Sequence, residues 1–225
     1  MEPTGRRGTV NAPERATAPN WGIQHPVIEP IDPLRSTPRP PARPALVRWA
    51  SLFYGGLAAL SLGWAALAGT PWAFASEAAR RVGVRWASDI GLGLAAAAAV
   101  IGLSHVVTTR TRWGETLGRE LARAIGPLSG SQSAWLAALS GFAEEAFFRG
   151  ALQPRIGWAA ATLLFGLAHF VPRRELLPWT GFAIAVGALL GALFEATGNL
   201  VAPVVAHAVV NGINLRLLTQ RYCDG

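Results

Sequence analysis

The chain has 225 residues, of which 51% are hydrophobic and only 15% charged, a composition that excludes an ordinary soluble domain and indicates an all-α polytopic membrane protein. The net charge of +7 comes entirely from arginine, lysine being absent, and these arginines sit in tails and loops, which speaks against a nucleic-acid surface. The single cysteine, Cys223, excludes a disulfide framework and a cysteine-based zinc cluster, and Tyr222-Cys223-Asp224-Gly225 is not a prenylation box.

Residues 1–45 hold most of the prolines, with scattered arginine, threonine and acidic residues and no apolar periodicity, so they are expected to form a disordered tail. His25 falls in this tail. No apolar stretch precedes Ala45, and the first hydrophobic segment is expected to act as an uncleaved anchor.

Six apolar segments follow, at about 46–68, 86–107, 132–152, 156–171, 177–196 and 200–218. Most approach the roughly 20 residues needed to cross about 30 Å of hydrocarbon, the fourth being short. The reading is about six transmembrane helices, the last four forming a core. Its domains are two helices and a connector over 46–128, the core over 129–218, and a short tail over 219–225.

Between the second and third segments, Leu117, Leu121 and Ile125 recur at helical spacing with arginines between them, as in an amphipathic helix lying at the interface. Arginine placement favours both termini on the cytoplasmic side, with the cluster Arg80, Arg81 and Arg85 opposing it. Gly187 and Gly191 form a small-xxx-small pair expected to let helices approach closely. His105 and Asp89 lie near the ends of the second segment, where snorkelling to the headgroups is expected. Glu195, at the end of the fifth, suits a cap or an interfacial position.

Chemistry concentrates in three strings. A charged side chain in the centre of a membrane helix costs roughly 2.5 to 3.5 kcal/mol on insertion scales. Yet Glu144, Glu145 and Arg149 fall within six residues of the third segment. Glu145 and Arg149 share a helix face and can neutralise each other. Glu144 points away, on a face whose neighbours Ser133, Ala137, Ser140 and Gly141 are small enough to leave a crevice for water. A carboxylate there is placed to accept and return a proton.

His169 ends the fourth segment, four residues after Phe165, while His207 and Asn211 stand one turn apart in the sixth. A histidine and an amide so stacked can offer two donors to one oxygen, as an oxyanion site requires. The alternative is a polar network that only holds helices in register. Counted from the outer ends of the spans, His169 comes out nearer the cytoplasm than Glu144 and His207, so tilt or a broken helix has to close the gap.

These residues resemble the CPBP intramembrane protease family, also called the Abi or CAAX-protease group, whose motifs are Glu-Glu-x-x-x-Arg, Phe-x-x-x-His and His-x-x-x-Asn. Here the motifs read Glu144, Glu145 and Arg149, then Phe165 and His169, then His207 and Asn211, in the family's order and without departure at a motif position. The stretch from Thr197 to Pro203 is also similar to the family.

The resemblance spans about residues 130–215 and implies an intramembrane endopeptidase acting on a membrane-anchored protein or peptide in the bilayer. By position, Glu144 and His169 would activate water and His207 and Asn211 would stabilise the oxyanion. Glu145, Arg149 and Phe165 would support them, with Glu145 a candidate to share the base role. A metal-free route is favoured, because there is no His-Glu-x-x-His helix and Asn211 is a better donor than zinc ligand. Zinc held by Glu144, His169 and His207 is the alternative. The implied location is a bacterial inner membrane with a cytoplasmic N-terminus. A non-catalytic immunity factor or scaffold using the polar cluster for helix packing is the second reading, and a transporter with a proton relay, unsupported by any internal repeat, the third.

Overall fold

Long apolar stretches separated by short glycine- and proline-marked turns produce a fold that is almost wholly helical. The computed structural model describes residues 44–69 and 73–223, which fall in one of the chain's two units, Ser36–Gly225. The expected tail, with His25, therefore lies outside the described residues but for its last two positions. The helices are α1 (Pro44–Ala68), α2 (Glu77–Val82), α3 (Trp86–Arg110), α4 (Arg112–Ile125), α5 (Gly130–Glu145), α6 (Gln153–Ile156), α7 (Trp158–Ala168), α8 (Leu177–Thr197) and α9 (Val201–Tyr222). A π-helical segment, Ala146–Leu152, joins α5 to α6, and a 3-10 turn, Arg174–Leu176, precedes α8.

The protein is an all-α polytopic membrane protein. Four helices, α1, α3, α8 and α9, are long and apolar enough to cross a bilayer. The two remaining predicted segments are helical with different bounds. The third runs from Gly130 to Ile156 through the π segment and carries the buried charges, and the fourth is an 11-residue helix.

Local chemistry sets these ends. Ser129 caps α5 through a capping box, its hydroxyl accepting from the Gln132 N–H while the Gln132 side chain accepts from the Ser129 N–H. Pro154 has no N–H to offer the Gly150 carbonyl, and its ring would collide with that carbonyl in a tight α-turn. The helix widens instead, the Gln153 N–H bonding the Phe148 carbonyl five residues back. Gly157, at φ +82, then reverses the chain into α7.

The fold packs α9 between α3 and α5, sets α7 against α8, and lays α1 along α5 and its π continuation. The turn before α9 is tied down. Ala75 N–H donates to the Gly198 carbonyl (2.9 Å) and Leu200 N–H to the Ala73 carbonyl (3.0 Å), around the bridge between Phe74 and Asn199. Asp89 accepts from the Asn199 amide at 2.8 Å and from the Arg85 N–H at 3.0 Å. Asp89 is thus buried and bonded rather than snorkelling, because its helix start faces this loop.

Candidate functional site

Gly157, between α6 and α7, brings the first two motifs to one depth. Measured from that turn at 1.5 Å per residue, Glu144 lies about 18 Å along one helix and His169 about 16 Å along the other. The offset expected between them disappears because α5 continues helically to Ile156 instead of stopping near residue 152, and α7 ends at Ala168.

His169 caps the C-terminus of α7. Its Nδ1–H donates to the Phe165 carbonyl at 2.8 Å, which leaves Nε2 turned toward Glu144 Oε2, 3.5 Å away. That backbone bond selects the tautomer and fixes the ring. The ring also leans on Phe165, with centroids 4.6 Å apart. Glu144 is buried among the small residues expected of its face, Ser133, Ala137, Ser140 and Gly141 being buried as well. Its Oε2 has no hydrogen-bond partner among the described residues, so it is free to take a proton or a water.

Tyr54 of α1 is the residue that the sequence reading missed. Its hydroxyl lies close enough to the Glu144 carboxylate to interact with it electrostatically. A tyrosine in an apolar helix carries no signal in sequence, and only the packing of α1 against α5 brings it to the carboxylate.

The second acidic residue serves three helices. Glu145 Oε1 accepts from Arg149 Nη1 at 3.0 Å and from His207 Nδ1 at 2.7 Å. Arg149 is fully buried; its Nη2 donates to the Gly187 carbonyl at 2.9 Å, and its guanidinium stacks on Phe165 at 4.4 Å. The expected Glu145–Arg149 pair is present, and it also orients His207.

Asn211, one turn after His207, donates from Nδ2 to Ser140 Oγ at 3.0 Å. Each member of the expected donor pair has therefore spent one group on α5, leaving His207 Nε2 and the second amide N–H of Asn211 for another partner. The structure thus gathers Glu144, Glu145, Arg149, Phe165, His169, His207 and Asn211 at the meeting of α5, α7, α8 and α9, all buried except the half-buried His169 and Asn211.

Among the described residues no group of three His, Cys, Asp or Glu side chains is arranged to hold a metal ion. His207 gives its Nδ1 to Glu145, and Glu144 faces only one imidazole directly. Glu195 stays exposed on α8 and accepts from Gln153 Nε2 at 3.2 Å, outside the cluster.

The glycines expected to serve helix packing do so around this cluster. A Cβ on Gly187 would stand 2.9 Å from the Phe165 ring, and one on Gly191 would stand 2.6 Å from Trp158 and 2.8 Å from Gln153. Close approach at Gly187 is what lets its carbonyl reach Arg149.

Residues 127–213 match the family model described as Type II CAAX prenyl endopeptidase Rce1-like, the CPBP/CAAX protease family that the three motifs resemble. The uncharacterized protein YpbD of Bacillus subtilis is 42% identical over 81 residues, which are 35% of this chain. The similarity spans 41% of that protein's length. No solved structure matches the chain.

Proposed function

From the match of residues 127–213 to the CAAX endopeptidase family, we propose that this protein is an intramembrane endopeptidase of the metal-free, glutamic type. It hydrolyses a peptide bond of a membrane-anchored protein or peptide within a bacterial inner membrane, its N-terminus facing the cytoplasm. The observation that carries this reading is the Glu144–His169 pair. A buried carboxylate oxygen without other hydrogen bonds stands 3.5 Å from an imidazole nitrogen whose ring is locked by the Phe165 carbonyl.

Two proton acceptors at that separation can share one water. Glu144 takes its proton, the hydroxide adds to the scissile carbonyl, and the same proton passes to the departing amine. In the resulting tetrahedral intermediate the oxyanion is met by the second N–H of Asn211 and by His207. With Nδ1 donating to Glu145, His207 can offer Nε2–H only as a charged imidazolium, and the Glu145 carboxylate is its counter-ion. Each such donor contributes on the order of 3 to 4 kcal/mol to a transition state.

Glu144→Ala and His169→Ala are each expected to abolish cleavage while the yield of folded protein stays at the parental level. The assay compares membrane-bound and released proteins in a Glu144→Gln strain and its parent, followed by incubation of the purified enzyme with the identified substrate. Full activity in either purified mutant refutes the assignment. Function that tracks protein level in every motif mutant supports a non-catalytic scaffold instead.

A further inference from the structure

The amphipathic helix α4 does not bury the residues that make it amphipathic. Its buried stripe is Gly114, Gly118 and Ala122, with Gly118 set against the ring of Tyr222. Leu117 and Leu121 instead face a cavity of about 540 Å³ bounded by α3, α4, α8 and α9. Trp113, Trp179 and Phe182 complete its apolar walls, and the Tyr222 hydroxyl on its lining is buried without a hydrogen bond among the described residues. The volume lies within the roughly 300–1,000 Å³ typical of small-ligand sites.

The cavity lies at one end of the helices long enough to span a bilayer. It is enclosed by the C-terminal ends of two spanning helices, α3 and α9, by the amphipathic α4, and by tryptophan and tyrosine side chains of the kind that collect at the interface. Arg221 lines it, and Arg110 and Arg112 adjoin the lining residues Thr109 and Trp113 in sequence. None of these three arginines has an acidic partner among the described residues. On α4, Glu115 pairs with Arg119, and Glu120 pairs with both Arg123 and Arg173.

Apolar walls beside an arginine without an acidic partner among the described residues favour an amphiphile with a negative head. We infer that an anionic phospholipid of the surrounding bilayer occupies this cavity, with an acyl chain along Leu117, Leu121 and Trp179 and its phosphate on Arg221. A zwitterionic lipid offers the same chains without the net charge that Arg221 complements. No residue of the Glu144–His169 cluster lines the cavity, although its wall residue Trp179 packs edge-on against His169 with centroids 5.9 Å apart.

The test uses the full chain in detergent, supplied with phosphatidylglycerol or with phosphatidylcholine of identical acyl chains. Native mass spectrometry reads retained lipid, and thermal unfolding reads stabilisation. Phosphatidylglycerol is expected to be retained preferentially and to raise the melting temperature more. Arg221→Gln should weaken phosphatidylglycerol binding about fivefold and phosphatidylcholine binding by less, and Leu121→Trp should fill the cavity and expel both. Equal retention of the two lipids, retention of neither, or indifference to Arg221→Gln overturns the proposal. Arg221 is exposed, so its variant decides even if Leu121→Trp fails to fold.

Discussion

Adjacent glutamates in this protein have different surroundings: Glu145 Oε1 holds an arginine and a histidine, while Glu144 Oε2 faces the His169 imidazole. Glu145 accepts from Arg149 and His207, and removing one partner of a buried ion pair leaves an uncompensated charge worth about 3–5 kcal/mol. Glu145→Ala is therefore expected to lower thermal stability by that amount along with activity, whereas Glu144→Gln should remove activity at unchanged stability. Unfolding curves of the two purified variants, recorded side by side, check the contrast. Tyr54 belongs to the same scale. Its hydroxyl lies beside the Glu144 carboxylate, and a hydrogen bond made there to the charged group would be worth about 1.5–3 kcal/mol. Tyr54→Phe should accordingly lower kcat by roughly 10- to 100-fold, with KM and melting temperature preserved; an equal rise in KM would assign Tyr54 to substrate binding. The motif acids were legible in sequence because ionised groups in apolar segments are costly and conspicuous. Tyr54, a common residue in an apolar helix, was not.

At the scale of elements, the helix that carries the acids is not a uniform α-helix. Pro154 widens it just beyond Glu145, and Gly157 then turns the chain so that a short α7 can end beside Glu144. Periodicity located a helix there but not its π segment, because a shift from four-residue to five-residue hydrogen bonding leaves the hydrophobic pattern almost intact. The paired glycines of α8 were legible as small residues four apart, while their partners were not. Gly187 is the tight point, where an added methyl would press on Phe165 and displace the carbonyl that binds Arg149. Gly187→Ala is predicted to cost about 1–3 kcal/mol, the usual range for overpacking. Chemical or thermal unfolding in detergent measures it, and a neutral result would show that Phe165 can yield.

Across the whole molecule, the site depends on elements that touch none of its reacting groups. Asp89 and Asn199 join the start of α3 to the loop that launches α9, and α9 carries His207 and Asn211. Asp89→Ala leaves the buried Asn199 amide without that acceptor, a loss of about 1–3 kcal/mol. It should reduce the yield of folded protein while activity per folded molecule stays near the parental value, as active-site titration against unfolding data would reveal. What the sequence by itself determined was the membrane setting, the helical class and the three clustered motifs, because hydropathy, periodicity and the cost of buried charge are local properties of the chain. Only the tertiary structure decided that Glu145 holds His207, that Tyr54 reaches Glu144, that Asp89 is a clasp, and that α4 overlooks a cavity. Each of these rests on which helices lie side by side, and in a bundle of similar apolar helices that choice is set by shape at the contact, which no single segment encodes.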